Sequence, residues 1–456
     1  MTIPDGVSAT VPDAARRSGA ESSAGKPHVG VLLWAGALGF AYVLARPVTA
    51  GFILYPLLAI GAVVCTVVIV AKRRPMCPLL VGALLLVVGV GTIGSLVGVD
   101  NPGLINGFSV WVIAPLLFAT YTFAVTERGL RLLVVTAAVT TTVTSALLVL
   151  YVQGQRNVLP DLVPDTLVTE GGLIYDPYAN ALRYHGLSTL VGALPMWLAS
   201  LVVPRHPLLP ALWLRLVATL SCTLAALHSG RRGIIVAAAV VVIVAGIAVL
   251  MWRRHRERGG SGRRRTSPFL GGALLLGIVV VVGGRSALTQ SSWDAVVDFL
   301  AGEGAVSGNS VRNEQAARLL QAWGDSPWVG YGFGARLADY QRSLERPWNF
   351  ELQYHMLLFQ VGLVGVALLL GAAVLVAAGV ARGLRRRPDL FPVLVVSGSA
   401  ALGFLVANAT NPYLQAPGHM WGVALFLAAV NVAATSPARG TGGERRADGR
   451  FGRYRP

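Results

Sequence analysis

The chain has 456 residues, of which 54% are hydrophobic and only 13% charged, with a formal net charge of +17. A soluble domain carries about 25% charged residues, so an ordinary water-soluble enzyme or binding module is excluded and an all-α integral membrane protein is expected. The positive excess raises nucleic acid and anionic lipid as partners, and its placement along the chain decides between these and a plain topological cause.

The first segment, 1–28, is polar and rich in Ala, Ser, Gly and Pro. It lacks the three-part form of a signal peptide, and Arg16-Arg17 resembles a twin-arginine signal only superficially, so a disordered cytoplasmic tail is expected. About twelve apolar blocks follow, each long enough to cross a hydrocarbon core of about 30 Å. They lie near 29–46, 48–71, 78–99, 104–126, 130–152, 186–203, 208–227, 233–252, 268–283, 354–380, 390–408 and 419–435. The membrane domain is therefore 29–435, and a basic cytoplasmic tail, 436–456, closes the chain. Cys65, Cys77 and Cys222 lie in or beside spans without CxxC spacing, and read as packing residues.

With a cytoplasmic N-terminus and alternating spans, the inside segments are 1–28, 72–77, 127–131, 204–207, 253–267, 381–389 and 436–456. They hold 26 of the 38 basic residues and 8 of the 21 acidic ones. That satisfies the positive-inside rule, places both termini in the cytoplasm and leaves no need for a nucleic-acid partner. The basic runs at 253–265 and in the C-terminal tail also suit anionic headgroups. Arg215 lies within a span, beside Trp213 and toward the cytoplasmic half, where a snorkelling side chain is expected.

Two outer loops are long, 153–185 and 284–353, and long ordered loops are commonly functional. In the second, AARLLQAW places Ala316, Leu319, Leu320 and Trp323 at i, i+3, i+4 and i+7, which predicts an amphipathic helix on the membrane surface with Asn309 or Ser310 as N-cap.

Arginines outside run against the charge bias and call for another reason. Arg231 and Arg232, in HSGRRGIIV, open the eighth span, where a helix N-terminus and two guanidiniums suit a pyrophosphate; pinning of the span end at the headgroups is the plainer alternative. Arg183, in ALRYHGLS, and Arg312, on the amphipathic helix, are further phosphate candidates, each weaker alone. Arg318 stands about 120° around the helix from Arg312, so the two are not expected to face one ligand. In WNFELQYHMLLFQVGLVG, Glu351 and His355 stand at i, i+4 on one predicted helix face at the membrane boundary, where either can accept a proton or simply cap the span. The last outer loop, NATNPYLQAPGH, offers Asn408, Asn411, Tyr413 and His419, suited to sugar hydroxyls and equally to a turn. His185, His228, His355 and His419 all fall outside without metal-ligand spacing, so no metal is expected. Walker A, DxD and GxSxG patterns are missing, which removes the usual nucleotide and hydrolase readings.

From about 180 to 430 the chain resembles the O-antigen ligase and polymerase family of membrane glycosyltransferases. Three pieces carry this: SGRRGIIV; RNEQAARLLQAWGDSPWVGYGFGA, where Arg312 precedes Pro327 by fifteen residues and leads to Gly330, Gly332 and Gly334; and ELQYHMLLFQVGLVG. The resemblance implies an undecaprenyl-diphosphate-linked glycan bound on the outer face of the cell membrane. Its pyrophosphate would be held by Arg231 or Arg232 with Arg312, and its sugar passed to an acceptor hydroxyl without cofactor. Flippase and chain-length regulator proteins would be partners beside the bilayer. Ligases of the family usually carry His-Asn eleven residues before the glycine matched by Gly362; here Glu351-Leu352 stand there, while Tyr354 keeps the aromatic position. A carboxylate at that place is closer to the polymerase branch, and the acceptor-activating role falls to Glu351, to His355 or to neither. The expected function is polymerisation of lipid-linked repeats into a surface polysaccharide. A ligase moving finished glycan to a lipid or protein, and a twelve-span transporter, are the alternatives.

Overall fold

The computed structural model describes residues 27–47, 51–160, 163, 174–176, 181–184, 186–229, 231–258, 306–341, 344–409 and 411–437. The expected ninth span at 268–283, most of the two tails, His185 and the first part of the second long loop lie outside these residues, and Arg183 and Arg232 are described by their backbone positions alone.

The structure is helical. Its helices are α1 Pro27–Ala45, α2 Gly51–Ala71, α3 Pro78–Val97, α4 Leu104–Phe108, α5 Ala114–Ala124, α6 Glu127–Gln155, α7 Thr189–Val202, α8 Leu212–His228, α9 Arg232–Arg258, α10 Val306–Asp325, α11 Gln353–Arg386, α12 Phe391–Ala407 and α13 Trp421–Thr435. A π-helical turn, Ser109–Ile113, joins α4 to α5. One short antiparallel ladder, β1 Ile174–Asp176 with β2 Ala181–Arg183, interrupts the first long loop. Among the described residues eight helical stretches are long and apolar enough to cross a membrane. α1, α7 and α8 stand where further spans are expected, but their apolar stretches run only 10–17 residues.

Lipid is the solvent these sequences anticipate. An apolar medium offers the backbone no partner, so each segment must close its own ladder as a helix. Large apolar side chains stay exposed along the outside, Trp34, Leu38, Ile60, Val63, Val67 and Val70 on α1 and α2 and Ile243, Ile247 and Met251 on α9. A water-soluble monomer rarely tolerates such a continuous apolar belt.

The shortness of α7 has a different cause. Nearly every residue of it is buried, because α8, α9 and α12 pack around it. Close approach rests on small residues: a Cβ added at Gly403 of α12 would lie 2.5 Å from Pro195 of α7, and one at Gly192 would lie 3.0 Å from Trp421. Trp197 is fully buried there and donates its Nε1–H to Thr141 Oγ1 of α6 at 2.9 Å. Thr141 in turn donates to the Ala137 carbonyl one turn back.

Arg215 corrects the expectation of a snorkelling side chain. It is 3% exposed, and its Nη1 donates to the Ser200 carbonyl in the last turn of α7. The last carbonyls of a helix lack partners inside it and carry the negative dipole end. Arg215 fills that need from the neighbouring helix, while Trp213 faces outward.

Loops expected on the same side meet on the same side. At one end Arg387 Nη2 bonds Asp389 at 2.8 Å and its Nη1 bonds Glu127 at the start of α6, and the Cys77 N–H donates to Asn431 Oδ1 at 2.9 Å. At the other end Asn101 reaches the carbonyls of Tyr331 and Phe333, Tyr184 donates to the Ala45 carbonyl, and Ser188 meets His419.

Candidate functional site

α10, the loop after it and the start of α11 form one unit at the second of these ends. α10 buries Gln315 and Leu319 and half-buries Ala316, Ala322 and Trp323, while Leu320 stays exposed. Leu319 packs with Ala335, Leu337, Phe350, Met356 and Phe359. The amphipathic helix of the sequence is therefore present, turned by one position, and its apolar face rests on protein. It begins at Val306, so Asn309 and Ser310 sit inside the helix and not at its cap, because the chain enters the helix a turn earlier than the apolar pattern shows.

The loop that follows is stitched into a break in α11. At Gly362 the backbone has φ of +58°, inside what is otherwise a continuous helix. The carbonyls of Phe359 and Gln360 accept from the N–H groups of Tyr331 and Gly332, and the N–H groups of Leu363 and Val364 donate to the carbonyls of Pro327 and Trp328, all at 2.8–3.0 Å. Breaking a helix leaves such groups orphaned, and the loop supplies every one of these four partners. Only glycine fits at the joint: a Cβ at Gly362 would stand 2.4 Å from the Trp328 oxygen, and one at Gly332 would stand 2.2 Å from Gly98 N. Phe333 plugs the other side. It is 1% exposed, fills the space beside Gly94 and Gly107, and stacks on Trp111 of the π-helical turn at 5.7 Å between ring centroids. The glycine triplet Gly330, Gly332 and Gly334 is thus an architectural device in this chain.

This frame carries Arg312 to Glu351, with Nε to Oε2 at 2.9 Å. Glu351 is held from its backbone side as well, since its own N–H and that of Leu352 donate to Gln315 Oε1 at 2.9 and 3.1 Å. Gln315 therefore caps the entry to α11 from a neighbouring helix, a role the local sequence gives no sign of. Both members of the pair are partly exposed, and pairs of that kind contribute only about 0.2–1 kcal/mol. Their main effect is orientation. Arg312 is fixed through Nε, and its two terminal nitrogens have no hydrogen-bond partner among the described residues. Arg318 pairs instead with Glu314, one turn away, as the divergence of the two arginines predicts.

The expectation that Glu351 and His355 share a helix face is corrected. α11 starts at Gln353, and Leu352 at its cap has non-helical backbone, φ −85° and ψ +86°. Glu351 lies before the helix, held there by Gln315 and Arg312, and only His355 lies on it. Sequence reasoning also passed over Asn349 and Gln353. Asn349 Oδ1, Gln353 Oε1 and Nε2, and His355 Nδ1 are buried without a hydrogen-bond partner among the described residues, although Gln353 is fully enclosed. Buried polar atoms are nearly always paired, so four orphaned atoms within seven residues set this stretch apart. The one legible sign was the density of amides in WNFELQ.

The last loop, between α12 and α13, leans on this unit: Gln415 Nε2 donates to Met356 Sδ at 3.0 Å. Two of its polar groups are structural. Asn408 is buried, accepting from Leu414 N–H and donating to the Phe404 carbonyl, and His419 is buried between Ser188 Oγ and the Tyr413 carbonyl, at 2.7 Å each. Tyr413 packs edge-on to His419. Burial pushes the Tyr413 phenol above its usual range, and the charge of Arg231 opposes this. Asn411 begins the turn, donating its N–H to the Ala407 carbonyl.

Arg231 is exposed just ahead of α9, its N–H bonded to Ser229 Oγ at 3.1 Å, and Arg232 is the first residue of the helix. Arg183 ends β2, paired in register with Ile174. His228 does not face a ligand: its Nδ1 meets the Leu224 carbonyl and its Nε2 meets Gln153. Among the described residues no cluster of three or more His, Cys, Asp or Glu side chains is placed to hold a metal ion. Of the expected site residues, Arg312 and Glu351 are therefore brought into direct contact. No family model matches this sequence, and no curated protein is significantly similar to it.

Proposed function

We propose that this protein is a membrane glycosyltransferase that polymerises undecaprenyl-diphosphate-linked repeats on the outer face of the cell membrane. The observation that carries this reading is the held but incompletely partnered guanidinium of Arg312, beside a stretch of orphaned amide and imidazole groups at 349–355. An arginine fixed through Nε presents its remaining N–H groups as a planar fork, the geometry that suits phosphate oxygens. Unpaired buried amides suit sugar hydroxyls. The resemblance of SGRRGIIV, of the segment from Arg312 to Gly334 and of ELQYHMLLFQVGLVG to O-antigen polymerases and ligases supplies the substrate class.

In the proposed reaction an acceptor hydroxyl oxygen bonds to the anomeric carbon of the donor's reducing-end sugar. The bond from that carbon to the diphosphate oxygen breaks, and undecaprenyl diphosphate leaves with the electron pair. Arg312 and Arg231 stabilise the leaving charge, with Arg232 and Arg183 as further candidates, and preorganised donors of this kind contribute about 2.7–4 kcal/mol each in studied sites. Since Glu351 is committed to Arg312, it serves as a positioning residue, and His355 is the better placed proton acceptor. Neither step needs a metal or nucleotide from this chain's residues.

The test is the lipid-linked and surface glycan of a deletion strain complemented with Arg312→Ala, at matched protein level. Single repeats without long chains support polymerisation. Normal chains overturn the proposal, and long lipid-linked chains that fail to reach their acceptor would make the protein a ligase.

A further inference from the structure

We infer that the opposite end of the molecule holds a binding site for an anionic phospholipid, between the C-terminal turn of α11 and the first turn of α3. Arg382, Arg385 and Arg386 line a cleft of about 450 Å³ there, together with Leu79, Ala378 and Ala381. Positions i, i+3 and i+4 of a helix share one face, so the three guanidiniums stand together above an apolar floor. A soluble anion would have no use for that floor. A glycerophospholipid has use for both parts, its phosphate meeting the arginines and the roots of its acyl chains meeting Leu79 and the two alanines.

Charge accounting at this end supports the assignment. Among the described residues at this end, the carboxylates of Glu127 and Asp389 both bond Arg387, which is buried and holds a fixed place. Arg382, Arg385 and Arg386 are exposed and have no carboxylate partner among the described residues. Arg386 donates one bond to the Ala434 carbonyl of α13, which anchors it beside the cleft. The depth is right as well. From the break at Gly362 to its end at Arg386, α11 runs 24 residues, or about 36 Å, so its last turn clears a hydrocarbon core of about 30 Å and lies among the headgroups. The opening turn of α3 adds the positive end of its dipole from the other wall. Basic clefts between helices at headgroup depth are known lipid sites.

This inference stands apart from the glycosyl-transfer reading. It is tested on the full chain in mild detergent, titrated with phosphatidylglycerol or phosphatidylcholine and followed by native mass spectrometry. Phosphatidylglycerol should be retained over phosphatidylcholine, and Arg382→Gln with Arg385→Gln should weaken it about 30-fold, while Lys72→Gln with Arg131→Gln, two exposed charges at the same end, should leave it unchanged. Should the double variant not be recovered as a monodisperse species, each single variant gives the same reading at a smaller loss. Equal retention of both lipids, equal loss in the control variant, or displacement of the lipid by an equal concentration of glycerol 3-phosphate overturns the inference.

Discussion

Arg312 and Glu351 lie 39 positions apart, and nothing local to either residue announces the other. The pair depends on Gln315, which fixes the Glu351 backbone, so its chemistry is set by a buried amide. Arg312→Lys should therefore behave almost as Arg312→Ala, with long-chain polysaccharide lost in gels of surface glycan, because a point charge cannot hold Glu351 and still offer a fork to phosphate. Glu351→Gln keeps an oxygen for the Arg312 Nε and should retain part of the activity, whereas a catalytic base at that position would lose all of it. Tyr413 gives a second test. Its phenol is raised by burial, so its neutral form is the one the fold favours. The stability it contributes is fully present below the unfolded value near 10 and is lost as pH rises through the higher folded value. Thermal midpoints measured in detergent should fall above about pH 10, and Tyr413→Phe should lessen that fall while changing little at neutral pH.

Elements were legible to the extent that hydropathy alone places them. α2, α3, α6, α9, α11 and α12 stand where their apolar runs predict, because an apolar run of that length must close its hydrogen bonds within itself. What composition could not show was which helices are surrounded by protein. α7 is too short for a full span and is the most enclosed, and Arg215 is aimed at its carbonyl end, both consequences of packing between segments distant in sequence. The tie between α6 and α7 is specific enough to measure. Thr141→Val would leave the buried Trp197 N–H unpaired, at a cost of about 1–3 kcal/mol, and Trp197→Phe would remove the donor itself. In a double-mutant cycle on unfolding in detergent the two should be clearly less than additive, and strict additivity would mean that the bond is not formed. The start of α11 was misread for a related reason: Glu351 continues the helical period, but Gln315 draws the backbone at 351–352 out of it.

For the whole molecule, the alternation of loops predicted from charge is matched by which loops meet. Arg387 joins two segments expected inside, and Asn101 and Gln415 join segments expected outside. The proposed topology puts the first end, where the basic residues gather, in the cytoplasm. Cysteine substitution tests that assignment in intact cells. Leu344→Cys, 90% exposed in the loop that leads to Glu351, should react with a membrane-impermeant maleimide, while Lys72→Cys should react only after permeabilisation. The reverse pattern would put the Arg312 site on the wrong side for a lipid-linked glycan acceptor.

The loop threaded into α11 leaves a signature of a different kind. Its hydrogen-bond partners in the helix are main-chain atoms, so the joint itself reads no side chain of α11, and side-chain contact is left to Tyr331, stacked on Phe359, and to Phe333, packed with Leu357 and Val361. A saturation scan should consequently show a comb. Residues 330, 332 and 334, with φ of +67°, +81° and +76°, should reject every replacement. Trp328 and Val329, whose side chains are exposed, should accept many, Tyr331, stacked on Phe359, should favour aromatic ones, and Phe333 only large aromatic ones. Such a comb allows the outer surface of the loop to diversify among relatives while the joint beneath it stays the same.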